Sequence, residues 1–185
     1  METKELWLVR HGETVRSRDL LLAGWADIPL TARGEAEARA LAPYLKGEHF
    51  DTVTSSDLQR AVVTARLAWG EVVVDRRLRE VSFGELEGHP WETLPAEHKD
   101  GLYRFVEFSF PGGETHAELA SRVLGFVDEL PTGRHLIFAH GGVVRVLARE
   151  VGVDAFPPTG TVTVVDWTAR RLVRTLPPSR SKVEG

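Results

Sequence analysis

The chain has 185 residues, a length that fits one domain with a sizeable hydrophobic core. Hydrophobic residues make up 42% of it and charged residues 27%, values typical of globular proteins rather than of disordered ones. Every apolar run falls short of the roughly 18 residues that a membrane helix needs, and the N-terminal METKELWLVR lacks the apolar stretch of a signal peptide. We therefore expect a cytoplasmic protein without a membrane partner.

Two features of the composition narrow the chemistry. Cysteine is absent, which excludes disulfides, thiolate catalysis and cysteine metal ligands. The formal net charge of −4 argues against a nucleic-acid partner, although cationic side chains could still be concentrated in one pocket. Asparagine is also missing and Gln59 is the one glutamine, a bias that fits a thermostable protein and also a GC-rich genome.

The first part of the chain alternates predicted strands and helices. The predicted elements, in chain order, are a strand at 6–9, a helix at 32–47, a strand at 50–56, a helix at 57–69 and a strand at 71–75. Thr31 is the predicted N-cap of the first helix, and the serines that end the second strand can cap the second helix. Strands that alternate with helices favour parallel pairing within one sheet.

Regular periodicity is lost between Glu80 and Gly113, where glycines and aromatic residues are frequent, and we predict a partly helical cap at 81–113. Regular elements then resume with a helix at 116–130 behind a Thr115–Glu118 capping box, a strand at 135–139, a helix at 143–152, and paired strands at 161–167 and 172–176. These elements predict a single domain over 1–176 and a disordered tail at 177–185. An edge strand of such a sheet could support a homodimer.

Two predicted strands end in a histidine followed by glycine. The first runs into Arg10, His11 and Gly12, and the fourth runs into His140 and two glycines, of which Gly141 is the first. Ligands of open α/β sheets bind at the carboxyl ends of the strands, so both histidines should face one crevice. Glycine lets backbone approach a ligand closely, and a helix that begins at Gly141 would direct free N–H groups towards an anion.

A phosphate ester is the ligand that these residues suggest. Arg60 lies one turn into the helix after the second strand and can reach the same crevice, which adds positive charge to a protein that is acidic as a whole. His11 could act as a nucleophile if a backbone carbonyl fixes its other ring nitrogen. Glu80 follows the third strand and is the candidate for protonating the leaving group.

Each of these residues also has a plainer interpretation. Taken alone, His11 could be a capped strand-end residue, Arg60 a surface arginine, and Glu80 an ion-pair partner of neighbouring arginines. A metal site is the sharpest rival use of paired histidines, but the sequence lacks the HExxH or multiple-aspartate spacing that such a site needs. The order of the residues at successive strand ends favours the phosphate site, with no metal or other cofactor.

The chain contains RHGE at 10–13, followed in order by GWADIPLTARG from 24, SSDLQRAVVTA from 55, LREVSFGELEG from 78, PGGET from 111 and AHGGVVR from 139. RHGE and these five blocks, in this order, resemble the histidine phosphatase superfamily. The resemblance implies a three-layer α/β/α sandwich with a mostly parallel sheet and catalysis through a phosphohistidine, without a metal. The residues that it implies are His11 as nucleophile, Glu80 rather than Glu85 as proton donor, and Arg10, Arg60, His140 and the N–H of Gly141 as phosphoryl ligands.

Within this superfamily the resemblance leaves two activities open. Ser17 and Gly142 stand where cofactor-dependent phosphoglycerate mutases have asparagine, and the cap is short and aromatic, so a phosphatase acting on a small phosphomonoester is the preferred interpretation. Three motifs, LWLVRHGET, PLTARG and LREVSFGELEG, resemble those of α-ribazole phosphatases and of broad-specificity phosphatases of similar size. We also expect Ser17 and Gly24 to contact substrate. A non-catalytic, phosphoester-binding regulatory domain is the third alternative.

Overall fold

The central strand, β1 at Lys4–Arg10, is buried on both faces of the sheet, which explains its unbroken apolar run. Successive side chains of a strand point to opposite faces. Leu6 and Leu8 therefore belong to one hydrophobic cluster, whereas Trp7 and Val9 belong to another.

The computed structural model describes residues 2–177, so the predicted tail at 177–185 lies outside it apart from Pro177. The α-helices are α1 at Val15–Arg18, α2 at Ala32–Leu45, α3 at Gln59–Ala68, α4 at Ala96–Arg104, α5 at His116–Glu129 and α6 at Gly141–Glu150. The strands besides β1 are β2 at Thr52–Ser55, β3 at Val73–Val74, β4 at Gly133–Ala139, β5 at Val162–Asp166 and β6 at Arg171–Leu176.

Within residues 2–177 the strands form one sheet in the order β3-β2-β4-β1-β5-β6. The first four of these pair in parallel, whereas β5 and β6 are added antiparallel on the other side of β1. The register sets Arg10 of β1 opposite Ala139 of β4, and Ser55 of β2 opposite Phe138. The carboxyl ends of three neighbouring strands consequently meet at one edge of the sheet.

Helices cover both faces of this sheet. Leu41 of α2 and Ala65 of α3 belong to the cluster that contains Trp7. On the other face, Leu119 of α5 and Leu147 of α6 belong to the cluster that contains Leu8. The predicted three-layer α/β/α sandwich with a mostly parallel sheet is therefore confirmed.

The segment between β3 and α5 forms a cap with its own aromatic packing. Phe83 contacts Phe110, with ring centroids 5.1 Å apart, and Phe105 contacts Phe108 at 5.4 Å. All four side chains are buried and belong to the same cluster as Leu8, so the cap core is continuous with the core beneath it.

Arginines of α6 attach the cap helix α4 to the sheet domain. Arg145 donates hydrogen bonds to the carbonyl oxygens of Leu102 and Tyr103, and Arg149 donates to those of Arg104 and Phe105. The last carbonyl groups of a helix have no partner within the helix. These two side chains supply that partner and hold α4 against α6.

The predicted bounds differ from the observed ones by one or two residues at most elements. β3 has two residues rather than five, and both of its valines are exposed because this strand lies at the sheet edge. Helix α6 begins at Gly141, the start considered for a helix whose N–H groups face an anion, and two residues before the predicted bound of 143. Helix α1, capped by Thr14 and Ser17, was not predicted, since four residues are too few for a helical period to be recognised.

No helix of the described residues has both the length and the apolar composition needed to cross a bilayer.

Replacing Leu8 with alanine should lower the free energy of unfolding by about 2–5 kcal/mol, because the side chain is 1% exposed and its loss leaves a cavity in the core. Val73→Ala is the matched control at the sheet edge, where the side chain is 71% exposed, and it should change the same quantity by less than about 0.5 kcal/mol. Urea denaturation of both variants measures the difference, and equal losses would contradict the burial of β1 on both faces.

Candidate active site

The two histidines singled out by the sequence lie side by side at the carboxyl edge of the sheet. His11 directly follows β1 and His140 directly follows β4, and the parallel pairing of these strands brings the ring centroids to 5.2 Å. Their exposed fractions are 5% and 0%. The two strand ends therefore form one buried pair of imidazoles.

The ring of His11 is held in one tautomer. Its Nδ1 lies 2.7 Å from the carbonyl oxygen of Gly12, so Nδ1 carries the proton and donates it. Burial lowers the pKa of His11 well below its usual value, and the positive charges of Arg60 and Arg10 lower it further. His11 is therefore neutral at physiological pH, and the lone pair of its Nε2 is available to attack an electrophile.

His140 contacts Ser56, a serine that the sequence predicted as a helix cap. Its Nε2 lies 2.8 Å from Oγ of Ser56, and the same Oγ accepts a hydrogen bond from the N–H of Leu58. A serine hydroxyl that donates to Nε2 leaves the proton of the neutral imidazole on Nδ1, whereas one that accepts from Nε2 leaves Nδ1 without a proton. Burial and the charge of Arg60 lower the pKa of His140 well below its usual value. Within the described part of the chain Nδ1 has no hydrogen-bond partner.

Arg60 brings a positive charge to the same edge, although its side chain is fully buried. Its two terminal nitrogens donate to the carbonyl oxygens of Ala26, at 2.8 Å, and Gly24, at 2.7 Å. Burial lowers the pKa of Arg60 to about 10, so the guanidinium remains charged at neutral pH. Its Nε is buried and has no partner among residues 2–177.

Arg10 supplies the second guanidinium. Its Nη1 donates to the carbonyl oxygen of Pro157 at 2.6 Å, and its guanidinium carbon lies 4.6 Å from the ring centroid of Phe156. Its Nε is also buried and unpartnered in the described range. The Nε–H groups of Arg10 and Arg60 are therefore buried donors without an acceptor in the described residues, and a bound oxyanion is a ligand that supplies one.

Glu80 lies at the N-terminus of α6. One oxygen of its carboxylate accepts from the N–H of Gly142 at 3.1 Å and the other accepts from the N–H of Val81 at 2.9 Å. Glu80 also lines a large cleft, whereas Glu85 belongs to a 3₁₀ turn beside Gly112. Of Glu80 and Glu85, Glu80 is the one that lines the cleft.

The glycines that follow the histidines are also required by packing within the protein, a reason that the sequence did not indicate. A side chain at Gly12 would collide with the backbone of Gly34, because α2 packs directly against this turn. A side chain at Gly141 would collide with the ring of Phe156, and one at Gly142 with the carboxylate of Glu80.

The two predicted substrate contacts have different positions. Ser17 lines the cleft, but its hydroxyl donates to the carbonyl oxygen of Thr14 in the cap of α1. Gly24 has a φ of +55°, and a side chain there would collide with Glu87. Its carbonyl oxygen accepts from Arg60, so Gly24 supports that arginine and is not part of the cleft wall.

The cleft has a volume of about 970 Å³ and opens onto Arg10, Glu80 and Gly142. Most of its wall is apolar or aromatic. These wall residues are Leu20, Leu21, Leu22, Val81, Phe83, Trp91, Leu102, Tyr103, Phe105, Val106 and Phe156. The cleft thus forms a mostly apolar chamber that can hold part of a ligand, and five further charged residues also line it, namely Arg16, Arg104, Arg145, Arg149 and Asp154.

Four residues that contact the candidate site were not among those that the sequence indicated. Ser56 was expected to cap α3, but the N-cap residue is Leu58, which has no side-chain cap, and Ser56 bonds His140 instead. Trp25 and Arg122 donate to the carbonyl oxygen of Glu80, and Phe156 covers Arg10. Ser56 and Trp25 lie inside blocks that resemble the superfamily, which was an available signal; Arg122 and Phe156 lie outside those blocks.

The fold is an α/β sandwich, and its candidate site groups buried arginine and histidine side chains at the carboxyl edge of the sheet. Among residues 2–177, no three or more histidine, aspartate or glutamate side chains lie close enough together to hold a metal ion. The chain belongs to branch 1 of the histidine phosphatase superfamily, whose family model matches residues 6–173.

The relatives of the chain include both phosphatases and mutases. The adenosylcobalamin/alpha-ribazole phosphatase of Escherichia coli K12 is 36% identical over 163 residues, which cover 81% of this chain and 80% of the relative. A probable phosphoglycerate mutase of Yersinia enterocolitica, GpmB, is 37% identical over 149 residues, which cover 74% and 69%. The solved structure of a phosphoglycerate mutase from Thermus thermophilus has a TM-score of 0.87 at 46% identity and covers 92% of this chain and 97% of that one.

We predict that His11 stays neutral at about pH 6, with its proton on Nδ1, because burial and two arginines lower its pKa well below 6.5. Nitrogen-15 NMR of the histidine side chains, assigned by comparison with His11→Asn, should show an unprotonated Nε2 at that pH. Shifts of a doubly protonated imidazole would contradict both the lowered pKa and the tautomer.

Proposed function

We propose that the protein is a phosphomonoester hydrolase that acts through a phosphohistidine on a small phosphorylated metabolite. The observation that carries the proposal is the state of His11, which is buried, neutral and fixed by Gly12 so that Nε2 can attack. Beside it are His140 and two arginines, Arg10 and Arg60, whose unpartnered N–H groups suit the oxygens of a phosphoryl group.

In the first step, Nε2 of His11 attacks phosphorus in line with the leaving oxygen. The N–P bond forms as the P–O bond breaks, and Glu80 in its protonated form transfers its proton to the leaving alkoxide. The guanidiniums of Arg10 and Arg60 balance the charge of the phosphoryl oxygens, and His140 donates from Nδ1. The N–H of Gly141, in the first turn of α6, is a further donor that we propose for these oxygens.

In the second step, water hydrolyses the phosphohistidine. Glu80, now a carboxylate, accepts a proton from the water as its oxygen attacks phosphorus, and the N–P bond breaks to return the electron pair to Nε2. Both steps use residues of this chain alone, so we propose that turnover needs no metal ion.

Two local features favour hydrolysis over a mutase reaction. A side chain at position 142 would require the carboxylate of Glu80 to shift, so the present position of Glu80 goes with the absence of the polar contact that mutases have there. At position 17 the serine hydroxyl is already bonded to Thr14. Phosphoglycerate mutase remains the second candidate, because relatives with that name match most of the chain.

The apolar chamber of the cleft supports a substrate class. Trp91, Tyr103 and Phe156 line it together with leucine and valine side chains, and such a surface favours a ring or another apolar group in the leaving alcohol. α-Ribazole 5′-phosphate has this character, and a relative named for α-ribazole phosphatase activity covers 81% of this chain. We therefore propose it as the first substrate to test.

Chelator-treated protein should release phosphate from a panel that contains α-ribazole 5′-phosphate, sugar phosphates, nucleotides and 3-phosphoglycerate. A parallel assay with the bisphosphate primer measures isomerisation of 3-phosphoglycerate. Release from an ester with a ring-bearing alcohol, without isomerisation, is the expected result. Isomerisation without release would establish the mutase alternative instead.

His11→Ala is the control for the panel, and it should lose turnover while its thermal unfolding remains cooperative. If the unaltered protein binds phosphate esters but hydrolyses none of them, the non-catalytic binding domain becomes the correct interpretation. That outcome would leave the fold and the anion site intact and remove only the proposed chemistry.

Glu80→Gln should lower kcat/KM for an alkyl phosphate by about 10²–10⁴-fold, because glutamine cannot protonate the leaving alkoxide. The loss should be much smaller for 4-nitrophenyl phosphate, whose leaving group needs no proton. Glu85→Gln is the matched control from the same block of sequence and should leave both rates close to the parent values. Equal losses for the two esters would contradict the role of Glu80 as the acid.

A further inference from the structure

We propose that Arg122 and Trp25 are positioning residues that hold Glu80 through its main chain, an inference that rests on the function proposed above. Both side chains donate to the carbonyl oxygen of Glu80, Arg122 from Nη2 at 2.8 Å and Trp25 from Nε1 at 2.7 Å. A carbonyl oxygen has two lone pairs, so these two donors occupy both of them. The main chain at Glu80 is consequently constrained from two directions.

Arg122 constrains the whole segment that leads to Glu80. Its Nη1 donates to the carbonyl oxygens of Arg77, at 2.7 Å, and Arg79, at 2.6 Å. Its Nε and Nη2 pair with the two carboxylate oxygens of Glu114, at 2.6 and 2.8 Å. A planar guanidinium can satisfy these acceptors at once, and a lysine ammonium cannot.

Glu114 holds the main chain on the other side of Glu80. Its Oε2, which accepts from Arg122, also accepts from the N–H of Ser82 at 2.8 Å. The backbone is therefore held both before and after Glu80 by a single, mostly buried ion pair. A carboxylate on a backbone fixed in this way keeps its contact with Gly142 at the mouth of the site.

Trp25 connects Glu80 to the proposed phosphate ligand Arg60. Arg60 donates to the carbonyl oxygens of the residues on either side of Trp25, which are Gly24 and Ala26. The N–H of Trp25 donates to Glu87 at 2.8 Å. The main chain that orients the Trp25 indole is thus bonded to the guanidinium of Arg60. The proposed proton donor Glu80 and the proposed phosphate ligand Arg60 therefore contact the same segment.

Positioning matters here because Glu80 must reach the leaving oxygen and not merely lie near it. A displacement of about 1 Å in a reacting group can cost roughly 10²-fold in rate. Neither Arg122 nor Trp25 bonds the carboxylate of Glu80 in the described structure; both bond its carbonyl oxygen. Their contribution should therefore appear only where the proton of Glu80 is needed.

The test compares kcat/KM for an alkyl phosphate and for 4-nitrophenyl phosphate in Arg122→Lys and Trp25→Phe. Each variant should lose about 10- to 100-fold with the alkyl ester and less than about threefold with the nitrophenyl ester. In a Glu80→Gln background, the same substitutions should cause no further loss with the alkyl ester. A purely structural role would lower both rates and would add to the loss caused by Glu80→Gln.

Arg77→Lys is the matched control. Arg77 belongs to the same segment, but its side chain pairs with Asp75 and Glu129, so this variant should leave the ratio of the two rates unchanged. Trp25 is 36% exposed, so Trp25→Phe tests the inference even if Arg122→Lys fails to fold.

Equal losses for the two esters, or losses additive with Glu80→Gln, would overturn the positioning role while leaving the proposed function in force. A parent protein that hydrolyses neither ester would overturn the proposed function itself, and this inference with it.

Discussion

The parallel pairing of β1 with β4 is the constraint on which the rest of the site depends. It sets Arg10 opposite Ala139, so that the next residue of each strand is a histidine and the two rings come to lie 5.2 Å apart. A slip of one residue would turn every side chain of a strand to the opposite face. Because both faces of β1 are buried against helices, such a slip would move Trp7 into the cluster now packed around Leu6 and Leu8, so close packing of both clusters holds the register.

Buried positive charge is the second property of the site, and it has two effects. Arg60 and Arg10 bond backbone carbonyl oxygens, which compensate part of the cost of burial without neutralising either charge. The remaining charge lowers the pKa of His11, which keeps its imidazole neutral and nucleophilic. In the proposed reaction, the same charge and the unpartnered N–H groups around it would stabilise the phosphoryl group.

The helix α6 joins this chemistry to the cap. Its first turn carries the N–H that contacts Glu80, and the absence of a side chain at Gly142 is what allows that contact. Towards its other end, Arg145 and Arg149 bond the last carbonyl groups of α4 in the cap. Helix α6 therefore determines the positions of both the proposed acid, Glu80, and the apolar wall of the cleft. This coupling explains how a short cap can keep a definite position over the site.

The sequence by itself determined the order of strands and helices and the set of candidate residues, because periodicity and motifs are properties of short windows. It also indicated which strand ends would meet, since parallel strands share a carboxyl edge. Only the tertiary structure decided that Ser56 bonds His140, 84 residues away, rather than capping α3. It likewise decided that Arg122 reaches back 42 residues to Glu80 and that Gly12 packs on Gly34. These contacts join segments that are distant in the chain, and no local pattern encodes which distant atom will fill a given space.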